Sequence, residues 1–142
     1  MSILHADFAE QFAPLDKAAF VGITGEQNTG FVSVAAYQRI AVLIHALAVG
    51  TTLDADVEIA TAAAGTNALT LKSMSQLGAS DDDKLVCIDI RPDELVAPTG
   101  TSAVDFDYLN VEVTPSGAAT VSVIVLGIPR DQPASGWDAV VS

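Results

Sequence analysis

The hydrophobic pattern changes period once along the chain. Leu4, Phe8 and Phe12 recur every four residues with Asp7 and Glu10 between them, which predicts a short amphipathic helix in an N-terminal arm, residues 1–15. A helix this short depends on tertiary support, so its apolar stripe packs either on its own domain or on a neighbouring subunit. Beyond Pro14 the pattern becomes strand-like. Apolar, β-branched segments at 20–24, 31–35, 39–49, 56–61, 68–76, 84–91, 106–114 and 119–127 are separated by Gly, Pro, Asn and Asp clusters. Val57 and Ile59 alternate with Asp56 and Glu58, and Leu69 and Leu71 with Thr70 and Lys72, so part of the sheet surface is expected to face water. Segment 84–91 reads as a mostly buried strand. Pro115-Ser116-Gly117 joins two β-branched runs and predicts a hairpin between 106–114 and 119–127.

Seven or eight short strands at regular spacing predict an all-β fold, an antiparallel β-sandwich of jelly-roll-like form, over residues 16–128. Pro129, Pro133 and Gly136 prevent residues 129–142 from continuing a central strand, so this segment is expected to lie over the surface as a C-terminal tail. With 142 residues the chain fits one core and needs no disulfide or metal staple. The longest apolar run, 40–49, is about half of the roughly 20 residues of a spanning helix, and the N-terminus has no basic region ahead of an apolar one. The expected setting is therefore the cytoplasm, with no membrane role.

Eighteen Asp and Glu against six scattered Lys and Arg give a formal charge of −12, which repels phosphate and argues against direct nucleic-acid binding. Cys87 is the single cysteine and, between Val86 and Ile88, is expected to be a buried structural thiol. His45 lies in an apolar strand and is expected to pack in the core or an interface, while His5 lies in the arm; neither has an acid or nucleophile beside it in the sequence. Asp81-Asp82-Asp83 could suggest calcium but lacks the alternating spacing of a known loop, so a solvated turn is expected. Asp105 and Asp107 share one face of a strand, where two exposed charges are a simpler reading than an acid–base pair. No phosphate loop, nucleophile elbow or zinc-binding helix motif occurs, so no catalytic residue, cofactor or metal is assigned and the chain is expected not to be an enzyme.

The remaining candidates are aromatic or apolar anchors for a partner: Leu4, Phe8 and Phe12 in the arm and Trp137 in the tail. Trp137 either anchors in a partner's pocket or clips the tail to its own sandwich. Asp105-Phe106-Asp107-Tyr108-Leu109-Asn110-Val111-Glu112-Val113, a Gly-containing turn, and then Thr120-Val121-Ser122-Val123-Ile124-Val125-Leu126-Gly127-Ile128-Pro129-Arg130 resemble the ending of small virion proteins encoded beside tailed-phage capsid genes. Residues 40–61 are similar to the strand, loop, strand unit that precedes it in those proteins. The tryptophan-bearing sequence that customarily follows their second strand is missing. The resemblance implies a capsid decoration (cement) protein, a homotrimer or dimer on the outer surface of the virion that binds the major capsid protein and strengthens the shell. A neck, tail or head-spike component is the alternative within this class, and a carbohydrate- or ligand-binding β-sandwich module is the alternative outside it.

Overall fold

The computed structural model describes residues 8–95 and 106–141. A single-turn helix, α1 (Phe8–Gln11), precedes ten strands: β1 (Ala13–Ile23), β2 (Gln27–Asn28), β3 (Val32–Ser33), β4 (Tyr37–Val49), β5 (Thr52–Ala60), β6 (Leu69–Ser73), β7 (Leu77–Gly78), β8 (Lys84–Ile90), β9 (Tyr108–Ser116) and β10 (Ala119–Pro129). A 3-10 turn, Pro92–Glu94, follows β8. The first strand starts at Ala13, inside the segment expected to be the arm. The last runs to Pro129, which pairs with Tyr37.

All strand pairs are antiparallel. Sheet A has the order β1-β10-β4-β8. In sheet B, β9 and β5 lie side by side at the centre, with β2 and β3 both paired to β9 and β6 and β7 both paired to β5. Counting β2/β3 and β6/β7 as two interrupted strands gives two four-stranded sheets between which the chain alternates, except at β5 to β6. That winding is a jelly roll, so the fold is the expected all-β sandwich.

The core follows from alternation. Ile40, Val42, Ile44 and Ala46 of β4 and Val121, Val123 and Val125 of β10 meet Leu53, Ala55, Val57 and Ile59 of β5 and Leu109, Val111 and Val113 of β9, all nearly free of solvent. Each Val, Leu or Ile so buried contributes roughly 1.5–3 kcal/mol before conformational entropy is subtracted.

The expected hairpin between the last two strands does not form. β9 pairs with β5 in sheet B and β10 with β1 and β4 in sheet A, so the turn at Gly117 (φ 82°) crosses between sheets. The β4–β5 link at Gly50 makes the same crossing, and the two corners interlock. A Cβ on Gly50 would lie 2.5 Å from the Ala118 carbonyl oxygen, and one on Gly117 would lie 2.8 Å from Thr51 Oγ1. Only glycine fits both corners.

Candidate interaction surfaces

The arm and the tail meet first on each other. The Phe12 amide donates to the Phe8 carbonyl (3.0 Å), closing α1, and the rings of Phe8 and Phe12 stack with centroids 4.6 Å apart. Carbonyls at a helix C-terminus have no partner within the helix. Here Trp137 Nε1 donates to the carbonyls of Phe12 (2.9 Å) and Ala9 (3.2 Å), and the Ala134 amide donates to that of Glu10 (2.9 Å). Phe8 and Trp137 rings lie 6.1 Å apart, and Lys17 of β1 pairs with Asp138 of the tail. Phe12 shares a hollow of about 260 Å³ with Ala41, Leu126 and Ile128, so the arm-and-tail clasp sits on the outward side of sheet A. Phe8, Phe12 and Trp137 are thus brought together, with Phe8 the most open at 57% exposure. Leu4 and His5 lie outside the described residues.

Next to the clasp, the outward face of sheet A is apolar. Cys87, Leu43 and Ile124 line up across β8, β4 and β10, and Leu85, His45 and Ser122 form the next row. Leu85 is 68% exposed, Leu47 45% and Ile124 43%, and Val21 of β1 opens onto the same side. Polar groups on this side are paired within the chain: Arg39 with Asp89, Lys17 with Asp138 and, within the row on the inner strand β4, His45 Nε2 with Asp83 Oδ1 at 2.6 Å. The sequence carried a signal for this face. Apart from His45 and Ser122, segments 40–49 and 121–126 are apolar at both parities, the pattern of strands covered on both sides.

Two expectations are corrected here. Cys87 is exposed, because β8 is an edge strand whose inward positions are Val86, Ile88 and Ile90; its partners Leu85, Cys87 and Asp89 point out, and the strand is half open. His45 lies outward, between buried Ile44 and Ala46, and reaches Asp83, so of the two places expected for it the core is excluded and the interface is left.

Sheet B presents the opposite chemistry. Asp54, Asp56 and Glu58 of β5 and Glu112 of β9 project outward, with Glu26 beside Glu112. Burial, then the nearby charges of Glu26, Glu58 and Asp56, push the Glu112 carboxyl above its ordinary value. Asn110, 1% exposed, ties this face together: its Oδ1 accepts from the Gly30 amide (2.9 Å), and its Nδ2 donates to Asn28 Oδ1 (2.7 Å) and Glu58 Oε2 (2.8 Å).

The three consecutive aspartates are each engaged within the chain. Asp81 Oδ2 accepts from the Gly78 amide (2.8 Å), which with Lys84 holds its carboxyl below the usual range. Asp82 Oδ1 accepts from the Val49 amide (2.8 Å), and Asp83 binds His45. Among the described residues no group of three or more His, Cys, Asp and Glu side chains could hold a metal ion. Asp105 lies outside the described residues, and the carbonyl of Asp107 accepts from the Val34 amide (2.7 Å). Among the described residues no helix is long and apolar enough to cross a membrane.

No family model and no curated protein sequence matches the chain. Similar solved structures include the SPBc2 prophage-derived protein YomS, at 15% identity over 79% of this chain and 94% of that one, with a TM-score of 0.42. A chain of Broad bean stain virus is 7% identical over the full length of both, with a TM-score of 0.48. A chain of the Triatoma virus empty capsid is 10% identical over 96% of this chain and 97% of that one, with a TM-score of 0.44. Likenesses at this level add nothing to the strand order already described.

Proposed function

We propose that this chain is a non-catalytic structural subunit of a virion, a decoration protein that binds the outer surface of a tailed-phage capsid. It packs against the major capsid protein and against copies of itself, without nucleic acid, membrane or cofactor. One observation carries the reading: apart from Leu69 of β6, the exposed large apolar side chains gather on one side of the jelly roll, on the arm-and-tail clasp and sheet A, while sheet B turns a row of carboxylates to water. A molecule so divided has one side built for contact and one for solubility. Jelly rolls serve many functions, so the fold alone assigns none. The resemblance of segments 105–113 and 120–130 to small tailed-phage virion proteins supports the same role.

In this reading Phe8, held by Phe12 and Trp137, reaches the shell together with Leu4. Repetition around a capsid multiplies individually weak contacts into firm attachment. Cosedimentation with capsid shells, followed by electron cryomicroscopy of the decorated particle, tests the proposal. Density repeated across the outer shell is the expected result. A single ring at one vertex would reassign the chain to the neck or tail, and no binding to any shell would overturn the virion role.

A further inference from the structure

We propose that two copies of this chain meet face to face through the outward side of sheet A, about a two-fold axis. This rests on the reading of the chain as an assembling subunit and adds which surface joins the copies. The first argument is the sequence pattern. Strands 37–49 and 119–129 carry apolar residues on both sides, as strands covered on both faces do, and here the clasp covers the outward side only in part, with Phe12 beside Ala41, Leu126 and Ile128. The row of Cys87, Leu43 and Ile124 and the exposed Leu85 and Leu47 lie in the part left open.

Size is the second argument. With 11 residues in β1 and in β10, the face of four strands spans roughly 700 Å². A standard protein interface takes about 800 Å² from each partner, so the part of this face left open beside the clasp suits a weak, concentration-dependent pair and leaves Phe8 free for the shell.

Charge selects the occupant. A second copy also carries −12, and the carboxylates of sheet B would repel it. On sheet A the charged groups form pairs of both signs at the margin, Arg39 with Asp89 and Lys17 with Asp138. Two-fold symmetry gives both partners the same patch, so each apolar centre meets an apolar centre and each mixed margin meets a mixed margin. Sheet A against sheet A is the one pairing of these two faces that leaves the carboxylates of sheet B in water.

Analytical ultracentrifugation of the full chain over a range of concentration and salt tests this, alongside Leu85→Asp and Ile124→Asp, which alter exposed positions and spare the core. A wild-type dimer is expected, tightening as salt screens the net charge. Each substitution should weaken it by at least about tenfold, with the circular dichroism spectrum unchanged. Cys87 supplies a readout without mutation: its reaction with a maleimide should slow as the wild type dimerises. A chain that stays monomeric at every concentration, a trimer, or a dimer indifferent to both substitutions with Cys87 freely reactive would overturn the proposal. Shell cosedimentation of the same proteins keeps the two readings apart. A monomer that still binds shells would sink only the sheet A contact, and a dimer that binds none would sink only the capsid role.

Discussion

Asn110 shows how much one polar side chain can hold. It lies in the middle of β9 on the outward side, yet the Asn28–Gly30 loop closes over it, so three groups from two other segments depend on its amide. Asn110→Ala leaves the Gly30 amide and Asn28 without that partner and should cost about 1–3 kcal/mol in denaturant unfolding. Gly117→Ala should cost a similar amount, roughly 1–3 kcal/mol, because the new methyl meets Thr51 at a positive φ. Glu112 sets a pH dependence. Its folded pKa is raised above the ordinary 4.5, so the native state binds protons more tightly than the unfolded chain, and stability falls as pH rises through that interval. Burial raises Asp16 in the same sense. Asp81 and Glu94, held low by backbone amides and lysines, act oppositely, and their stabilisation is lost as pH falls through their folded values. Thermal melts should therefore show higher stability near pH 5 than near pH 7 and a decline at stronger acid. Glu112→Gln should raise the melting temperature at pH 7 and flatten the upper part of that curve.

At the scale of elements, the arm and tail stabilise one another where neither could alone. A single helical turn has too few hydrogen bonds to persist in water, and α1 persists because Trp137 caps its carbonyls and Phe8 and Phe12 stack beside the indole. Trp137→Ala should free residues 130–141 to proteases several-fold faster while global stability falls by no more than about 1 kcal/mol, since the sandwich core is untouched. Limited proteolysis and a thermal melt on the same sample separate the two effects. The sequence showed the helical spacing of Phe8 and Phe12, and it left open whether Trp137 faced a partner or its own chain. Only the tertiary contact decides that, because an indole N–H finds whichever carbonyls the fold brings near.

For the whole molecule, sheet A presents an apolar outward face and sheet B an acidic one, and in the proposed role the first makes contact while the second keeps the subunit in solution. Removing residues 1–11, which stops short of β1, should leave the jelly roll folded and weaken shell binding at least about tenfold; cosedimentation of the truncated chain reads this directly. Unchanged binding would mean that the arm does not reach the shell. The carboxylates of sheet B should matter little to either contact, so Asp56→Asn is expected to leave shell binding and self-association unchanged.

The sequence by itself determined most of the strands, the alternation in β5 and β9, the all-β sandwich and most of its turns, because period-two patterning and Gly or Pro punctuation are local properties; it missed the first half of β1, whose start was read as arm, and β2, read as turn. It did not determine which way a turn leads. Both a hairpin and a crossing between sheets join β-branched runs through a short Gly turn, and β9 crosses because β5 in sheet B and β4 in sheet A claim the two strands separately. Nor did it determine the orientation of 84–91, where Leu85 and Cys87 compete with Val86, Ile88 and Ile90 for the inside. Alternation states that two sets of residues face opposite ways. Which set is buried depends on where the strand sits in its sheet, and that is fixed only when the two sheets close on each other.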